Sequence, residues 1–378
     1  MTIVQSEVIH SLRGLESRIV FGYITGNAEN VWYGATCHCN QTDSSFERAE
    51  VIHNREWELF YMQRATKETI TITPMSHLYR LFGGVRRKLS PRIGTIKRRL
   101  GINTEYPYTD FSIILPGDHS LPFFQKGHRL YDRFLPHLAK YVEPHSTVID
   151  VGANCGDSLA AMYEANKTLS FICIEPDDVF FDFLQRNVLR IKQFDSDASI
   201  SIHKSLIGKN VTDVALYGSR GTKHAVLRDG NQQNGKFWVS QTLDSLVSLT
   251  TANNIRMLKS DVDGFDYDVI DSAESLIRTH SPMIYFECQF DKPEQKSGYE
   301  RIITELQTNG YGSWVMLDNF GEVVVQTENI RVVFQLLNYV GRQNSNRSTR
   351  TIFYYDILTV TNKDDALLNK IVGDYISV

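Results

Sequence analysis

The chain lacks any uninterrupted apolar run approaching the roughly 20 residues that a membrane-spanning helix needs, which argues against a helical membrane protein. Its first ten residues, Met1 to His10, have neither a basic start nor an apolar core, so they do not read as a secretory signal. Cysteine is sparse: Cys37, Cys39, Cys155, Cys173 and Cys288 are odd in number and scattered, mostly inside apolar strand-like runs. That excludes a disulfide scaffold and leaves reduced core residues, and the protein is expected in the cytoplasm. Cys37-His38-Cys39 lacks both the C-x-x-C spacing and a second cysteine pair, so no zinc site is expected there. There is no large excess of either charge, with a formal net charge of -4, and hence no global signal for nucleic acid. A G-x-G-x-x-G dinucleotide fingerprint is also missing from the one glycine-bearing loop with the setting for it.

What is present is a long alternation. From Phe111 onward, apolar strand-like runs alternate with helix-like segments, the order expected of parallel βαβ units. Thr147–Val151, Phe171–Ile174, Ile200–Ile207, Ile255–Val262, Met283–Cys288, Trp314–Leu317 and Thr351–Val360 are the strand candidates. Ser158–Glu164, Asp177–Lys192 and Tyr267–Arg278 have helical spacing. Tyr217–Leu243 reads as a hairpin or loop excursion, and the polar run Gln343–Arg350 as an exposed loop before the last strand. The division is residues 105–378 as the α/β domain and residues 1–104 as an extension, in which Glu47–Lys67 has some helical character.

The strongest local signal is VIDVGANCGD, Val148 to Asp157, at the end of a strand and before a helix. Glycines at such a turn let backbone approach a ligand, and the following helix offers its N-terminal amides. Asp150 stands two residues before Gly152, where its carboxylate can meet an ammonium rather than a pyrophosphate. Nineteen residues after Gly156, Glu175 ends the next strand, where a carboxylate can accept from both hydroxyls of a ribose. Together these point to S-adenosylmethionine (SAM). A third segment, LKSDVDGFDY, Leu258 to Tyr267, closes a later strand at the same sheet edge, where open α/β sheets bind ligands. It places Lys259 and Asp261 for catalysis, with Asp263 and Asp266 read either as site acids or as helix-start capping acids. Glu287, ending Met283–Phe286, is a second candidate acid.

VIDVGANCGD, FICIEPDDVFFDFLQRN, TLDSL, LKSDVDGFDYDVI and PMIYFE followed by NGY resemble, in order and spacing, the FkbM-type methyltransferases, over about Tyr131 to Asp318. The resemblance implies a class I methyltransferase fold: a Rossmann-like, mostly parallel seven-stranded sheet with an antiparallel last strand and helices on both faces. It further implies SAM as donor and O-methylation of hydroxyls, commonly on sugars or polyketide-type natural products; the acceptor expected here is a saccharide, nucleotide-sugar or glycan. By position, Asp150, Gly152, Asn154, Gly156, Asp157 and Glu175 would hold SAM, and Asp261, Lys259, Glu287 and Asp263 would form the reacting edge. The chain departs from the usual K-x-D-x-E-G-x-E: Asp263 and Asp266 stand where glutamates are usual, and polar Ser260 where an aliphatic residue is usual.

Asp261 is the expected base, with Lys259 steadying charge. A Mg²⁺ ion bridging Asp261 and Glu287 is the secondary mechanism, disfavoured because no histidine or further ligand is evident beside them. The alternatives are a catalytically silent domain acting as a scaffold and an enzyme of this fold using another nucleoside cofactor. Thr69 to Thr104 contains no acidic residue but holds a basic stretch, Arg80 to Arg99, interleaved with apolar residues. It reads as a linker, a subunit contact, or a contact with a polyanionic glycan or with the inner face of an anionic membrane, and no nucleic-acid partner is expected.

Overall fold

The computed structural model describes residues 3–7, 17–26, 29–38, 102–209, 214–217, 224–227, 239–345 and 351–377. The chain divides into two compact units, Met1–Val85 and Arg86–Val378. In the first, Ile3–Glu7, Ser17–Gly26 and Glu29–His38 form an antiparallel three-stranded sheet with Ser17–Gly26 in the middle. The β-branched and aromatic residues of RIVFGYI and NVWYGAT are the signal for it. Glu47–Lys67, read from the sequence as having some helical character, and the basic stretch lie outside the described residues.

The second unit is built on an eight-stranded sheet: β1 Thr147–Val151, β2 Ser170–Ile174, β3 Ile200–His203, β4 Ile255–Ser260, β5 Met283–Gln289, β6 Tyr311–Asp318, β7 Val323–Thr327 and β8 Tyr354–Thr361. The order across the sheet is β3-β2-β1-β4-β5-β8-β6-β7. The strands β1 to β5 are mutually parallel, and β8 runs antiparallel between β5 and β6. The seven expected strands are present, and β7 adds an eighth as a hairpin partner of β6. Both faces of the sheet are covered, so β1 is buried at all five positions, as parallel strands require.

Ten helices are used below or in the core: α1 Leu121–Gly127, α2 Phe134–Ala139, α3 Asp157–Ala165, α4 Asp178–Phe194, α5 Leu243–Ser248, α6 Asp266–Asp271, α7 Glu274–His280, α8 Pro293–Thr308, α9 Ile330–Ser345 and α10 Asp365–Ile376. One face of the sheet packs Val148, Met257, Met283 and Leu358 against α2, α3, α4 and α10. The other packs Ile149, Leu258, Ile284 and Ile357 against α5 to α9. The single helix expected over Tyr267–Arg278 is two helices, because the Ser272 backbone is captured from outside. Its carbonyl accepts the Asp244 N–H at 3.1 Å and its hydroxyl accepts the Leu243 N–H at 3.1 Å. Nor is Gln343–Ser345 loop: α9 runs through it, and buried Asn344 donates to the carbonyls of Phe290 at 2.8 Å and Phe353 at 3.0 Å.

A hairpin of Thr104–Pro107 and Ser112–Leu115 precedes the sheet. A boundary at residue 105 would remove Thr104, which pairs with Leu115. The hairpin is pinned by Asn187 of α4, fully buried, whose amide oxygen accepts the Ile114 N–H at 2.7 Å. Its nitrogen donates to the carbonyls of Ile114 at 2.9 Å and Cys155 at 2.7 Å. One side chain thus ties hairpin, α4 and the glycine loop together. Asn187→Ala leaves three polar backbone groups without that partner and should cost about 2–4 kcal/mol in urea unfolding; a loss below about 0.5 kcal/mol would show that the hairpin is held otherwise.

Candidate active site

The loop between β1 and α3 is shaped by close packing against β4. Gly152 sits at φ 75°, and a Cβ there would lie 1.9 Å from the Asp261 carbonyl oxygen. Gly156 sits at φ 84°, and its Cβ would meet Leu184 of α4 at 2.9 Å. The need for glycine is therefore met by the protein's own backbone and core before any ligand is considered. The loop is closed from the other side by Glu175: its two carboxylate oxygens accept the Asn154 N–H at 2.9 Å and the Asp177 N–H at 2.8 Å. Burial pushes the Glu175 carboxyl up to about 7, against the downward pull of those two amides.

Beneath the loop lies a buried ion pair. Lys259 of β4, 3% exposed, places its ammonium 2.9 Å from Asp150 Oδ1, donates to the Gly152 carbonyl at 2.9 Å, and lies 3.8 Å from Asp261 Oδ2. Asp150 is fully buried and accepts the Ser158 hydroxyl at 2.6 Å on its other oxygen. Burial opposes the ammonium, but Asp150 and then Asp261 outweigh it and hold its pKa above the usual lysine value. Asp150, expected opposite the cofactor's ammonium, thus faces Lys259 instead, and Lys259 is a strut under the loop as much as a reacting-edge residue.

The loop, the hairpin and the ends of β4, β5 and β8 enclose a cleft of about 530 Å³, a size common for small-molecule sites. Gly152, Asn154, Asp157 and Glu175 line one part of it, and Lys259, Asp261, Asp263 and Glu287 another. Asp150 and Gly156 do not reach it. Asp132, Asn154 and Asp263, all in the wall, are held at positive φ (54°, 49° and 53°), where residues other than glycine concentrate at functional sites.

Asp261 opens 52% of its side chain to the cleft. Enclosure by the surrounding protein, with Asp263 and Asp150 nearby and Lys259 opposing, pushes its carboxyl up to about 6; solvent in the cleft offsets part of that. Glu287 is 8% exposed and its Oε1 has no hydrogen-bond partner. Burial, then Asp261, Asp263 and Asp356, raise its carboxyl well above the ordinary range. Asp356 of β8 stands directly opposite Glu287 in the β5–β8 register and is likewise raised, by burial and then Asp261 and Asp132. Asp356, Asp132 and the wall tyrosines Tyr131, Tyr285 and Tyr354 went unread in the sequence. Asp356 is a single acid in a strand with no glycine beside it, and only the antiparallel return of β8 brings it to the site.

Ser260 and Asp266, two of the departures from the family pattern, prove to be partners. Both are fully buried on the opposite side of the β4 end, where Asp266 accepts the Ser260 hydroxyl at 2.6 Å, the Val262 N–H at 3.2 Å and the Tyr299 hydroxyl at 3.2 Å. The shorter acid and the hydroxyl compensate for each other beneath the site, so Asp266 is a turn-holding residue.

Among the described residues, His119, Cys155 and Asp157 bring three ligand atoms within 4.8 Å of one another, while Asp261 and Glu287 belong to no such group. The hydrogen bonding of His119 works against a metal: its Nδ1 accepts the Leu121 N–H at 3.3 Å, which puts the ring proton on Nε2, the atom 3.9 Å from Asp157.

A parallel sheet in the order β3-β2-β1-β4-β5, continued by an antiparallel strand and then β6, with a glycine loop after β1 and an acid ending β2, defines the class I methyltransferases. Residues 150–312 match the family model of the methyltransferase FkbM domain, and this part of the chain is a SAM-dependent methyltransferase domain. Among solved structures, the chain is similar to methyltransferase FkbM from Methylobacillus flagellatus KT at 18% identity, over 38% of this chain and 32% of that one, with a TM-score of 0.28. It is also similar to the plantazolicin methyltransferase BpumL, solved with SAH, at 10% identity over 75% and 99% of the two chains, TM-score 0.34. A SAM-dependent methyltransferase from Agrobacterium tumefaciens matches at 5% identity over 68% and 70%, TM-score 0.37. The chain spans about a third of the M. flagellatus protein. No curated protein matches the chain.

The buried Asp266 has a consequence for stability. Burial, against the Ser260 hydrogen bond, holds its carboxyl at about 7 instead of 3.8. As pH rises between these values, the unfolded chain releases a proton that the fold retains, so the contribution of Asp266 to stability falls across that window. Thermal unfolding from pH 4 to 8 should show this decline flattened in Asp266→Asn; an unchanged slope would place the ionisation elsewhere.

Proposed function

We propose that the chain is a SAM-dependent O-methyltransferase acting on a hydroxyl of a saccharide, nucleotide-sugar or glycan-type acceptor. The observation that carries this reading is Asp261: a carboxylate open to the cleft, raised to about 6, and fixed 3.8 Å from a buried ammonium. When bound, SAM supplies a methyl group on a positively charged sulfur. At the loop end, Glu175 retains acceptor capacity for ribose hydroxyls beyond its two amide contacts, and Phe180, Leu206, Ile207 and Val262 give the same cleft apolar surface for a base. At the other end, Asp261 accepts the acceptor hydroxyl's proton, a task for which a pKa just below neutral is well matched. Glu287 and Asp356, whose carboxyls burial and neighbouring acids raise well above the ordinary range, line the cleft beside Asp261 and orient the acceptor's neighbouring polar groups. Holding the acceptor oxygen in line accounts for the rest of the effect.

A saccharide suits a wall that mixes carboxyls with the rings of Tyr106, Tyr108, Phe124 and Phe320. A bridging Mg²⁺ remains the secondary mechanism; among the described residues, Asp261 and Glu287 belong to no cluster of three His, Cys, Asp or Glu ligand atoms. The alternatives, a silent scaffold and a different nucleoside cofactor, gain no observation in their favour. No helix among the described residues is long and apolar enough to cross a membrane, and Cys155, Cys173 and Cys288 are buried free thiols; both suit action in the cytoplasm, with the basic stretch as the peripheral or subunit contact.

Asp261→Asn keeps shape and loses basicity, so methyl transfer should fall about 100-fold or more while SAH affinity by calorimetry barely changes. The parent rate should rise with pH through about 6 and then level. Near-parental turnover of Asp261→Asn would remove Asp261 as base. Glu175→Ala should weaken SAH binding by about 1–3 kcal/mol; an unchanged dissociation constant would take Glu175 out of the site.

A further inference from the structure

The acceptor end of the cleft is more acidic than orientation of a neutral sugar requires. Asp132, Asp261, Asp263, Glu287 and Asp356 share its wall with two permanent cations, Arg133 and Lys259. Lys259 is already committed to Asp150, the Gly152 carbonyl and Asp261. Glu287 and Asp356 face each other across adjacent antiparallel strands, a placement that is unfavourable when both are ionised. Glu287 is more than nine-tenths buried, lines the cleft, and its Oε1 accepts nothing from the protein. Two residues before each acid, on the same face of its strand, stands a tyrosine of the cleft wall, Tyr285 and Tyr354. A carboxyl pair flanked by aromatic rings is the chemistry that receives an organic cation. A metal ion fits less well, since these carboxylates do not gather three oxygens within reach of one centre.

Resting on the reading that the chain methylates a hydroxyl, we propose that its acceptor is an amino sugar, whose protonated amine sits at Glu287 and Asp356 while a neighbouring hydroxyl faces Asp261. The ammonium has no free electron pair and is not itself methylated. The hydroxyl oxygen forms the new bond to the methyl carbon, the carbon–sulfur bond breaks with its electrons passing to sulfur, and the hydroxyl proton goes to Asp261. An amine at the acid pair favours the ionised form of both carboxyls, so binding displaces protons to solvent. The same acids disfavour a phosphate group at this end of the cleft.

The test is calorimetry on the full chain saturated with SAH, titrated with three probes: chitosan dimer, its fully N-acetylated counterpart, and glucosamine 6-phosphate. The expected result is at least a tenfold preference for the chitosan dimer over the acetylated form, weakening with salt, with little binding of the phosphate. In the parent protein at pH 6.5, the chitosan dimer's binding heat should change with the ionisation enthalpy of the buffer, reporting proton release without any variant. The preference should disappear in Glu287→Gln/Asp356→Asn. Equal or reversed preference, buffer-independent heat, or preference retained in the double variant overturns the amino-sugar assignment and leaves the O-methyltransferase reading standing. The assignment also falls if the double variant loses SAM affinity but keeps SAH affinity, because the acids then serve the donor's own charge. Failure of SAH to bind the parent chain would remove both readings.

Discussion

The ion pair between Lys259 and Asp150 is the constraint on which the site depends. It joins the neighbouring parallel strands β1 and β4 just below their carboxyl ends, and the same ammonium holds the Gly152 carbonyl. A lysine so deeply buried survives as a cation only because carboxylates surround it, and such a pair is strongly destabilised when one partner is removed alone. Its contribution is placement. With Gly152 drawn against the Asp261 backbone, to within a distance no Cβ allows, the glycine turn after β1 and the turn that carries Asp261 become one packed unit.

That unit sets up two electrostatic environments in one cleft. At the loop end, backbone amides and one carboxylate face each other, and Glu175 is held by N–H groups that favour its charge. At the acceptor end, carboxyls crowd one another and are raised, with Lys259 the closest counter-charge to Asp261. The first arrangement suits a ligand that donates hydrogen bonds; in the proposed reaction the second serves proton transfer at Asp261. Crowding of this kind costs stability near neutral pH. The fold tolerates it because the sheet beneath is buried on both faces by two apolar layers.

Much of this was legible in the sequence where chemistry and local pattern coincide. The β1 strand, its glycine turn and Glu175 fall within 30 residues, and the run around Lys259 combines a strand end, acids and a glycine. The partner of Asp150 was not legible, because Lys259 lies 109 positions later in the chain and only the strand order places it alongside. The same holds for Asp356, which arrives on the last strand, and for the Ser260–Asp266 bond, where two apparent departures from a pattern become one compensated change. The hairpin before residue 116 contributes Tyr106 and Tyr108 to the cleft through contacts that no periodicity announces.

The most direct test of the account is a double-mutant cycle on Lys259 and Asp150, reading stability by denaturant and SAH affinity by calorimetry on the same proteins. Lys259→Met and Asp150→Asn should each lose about 3–5 kcal/mol of stability, the double variant should regain much of it, and all three should bind SAH at least tenfold more weakly. Parental SAH affinity in the double variant would contradict the claim that this pair positions the site.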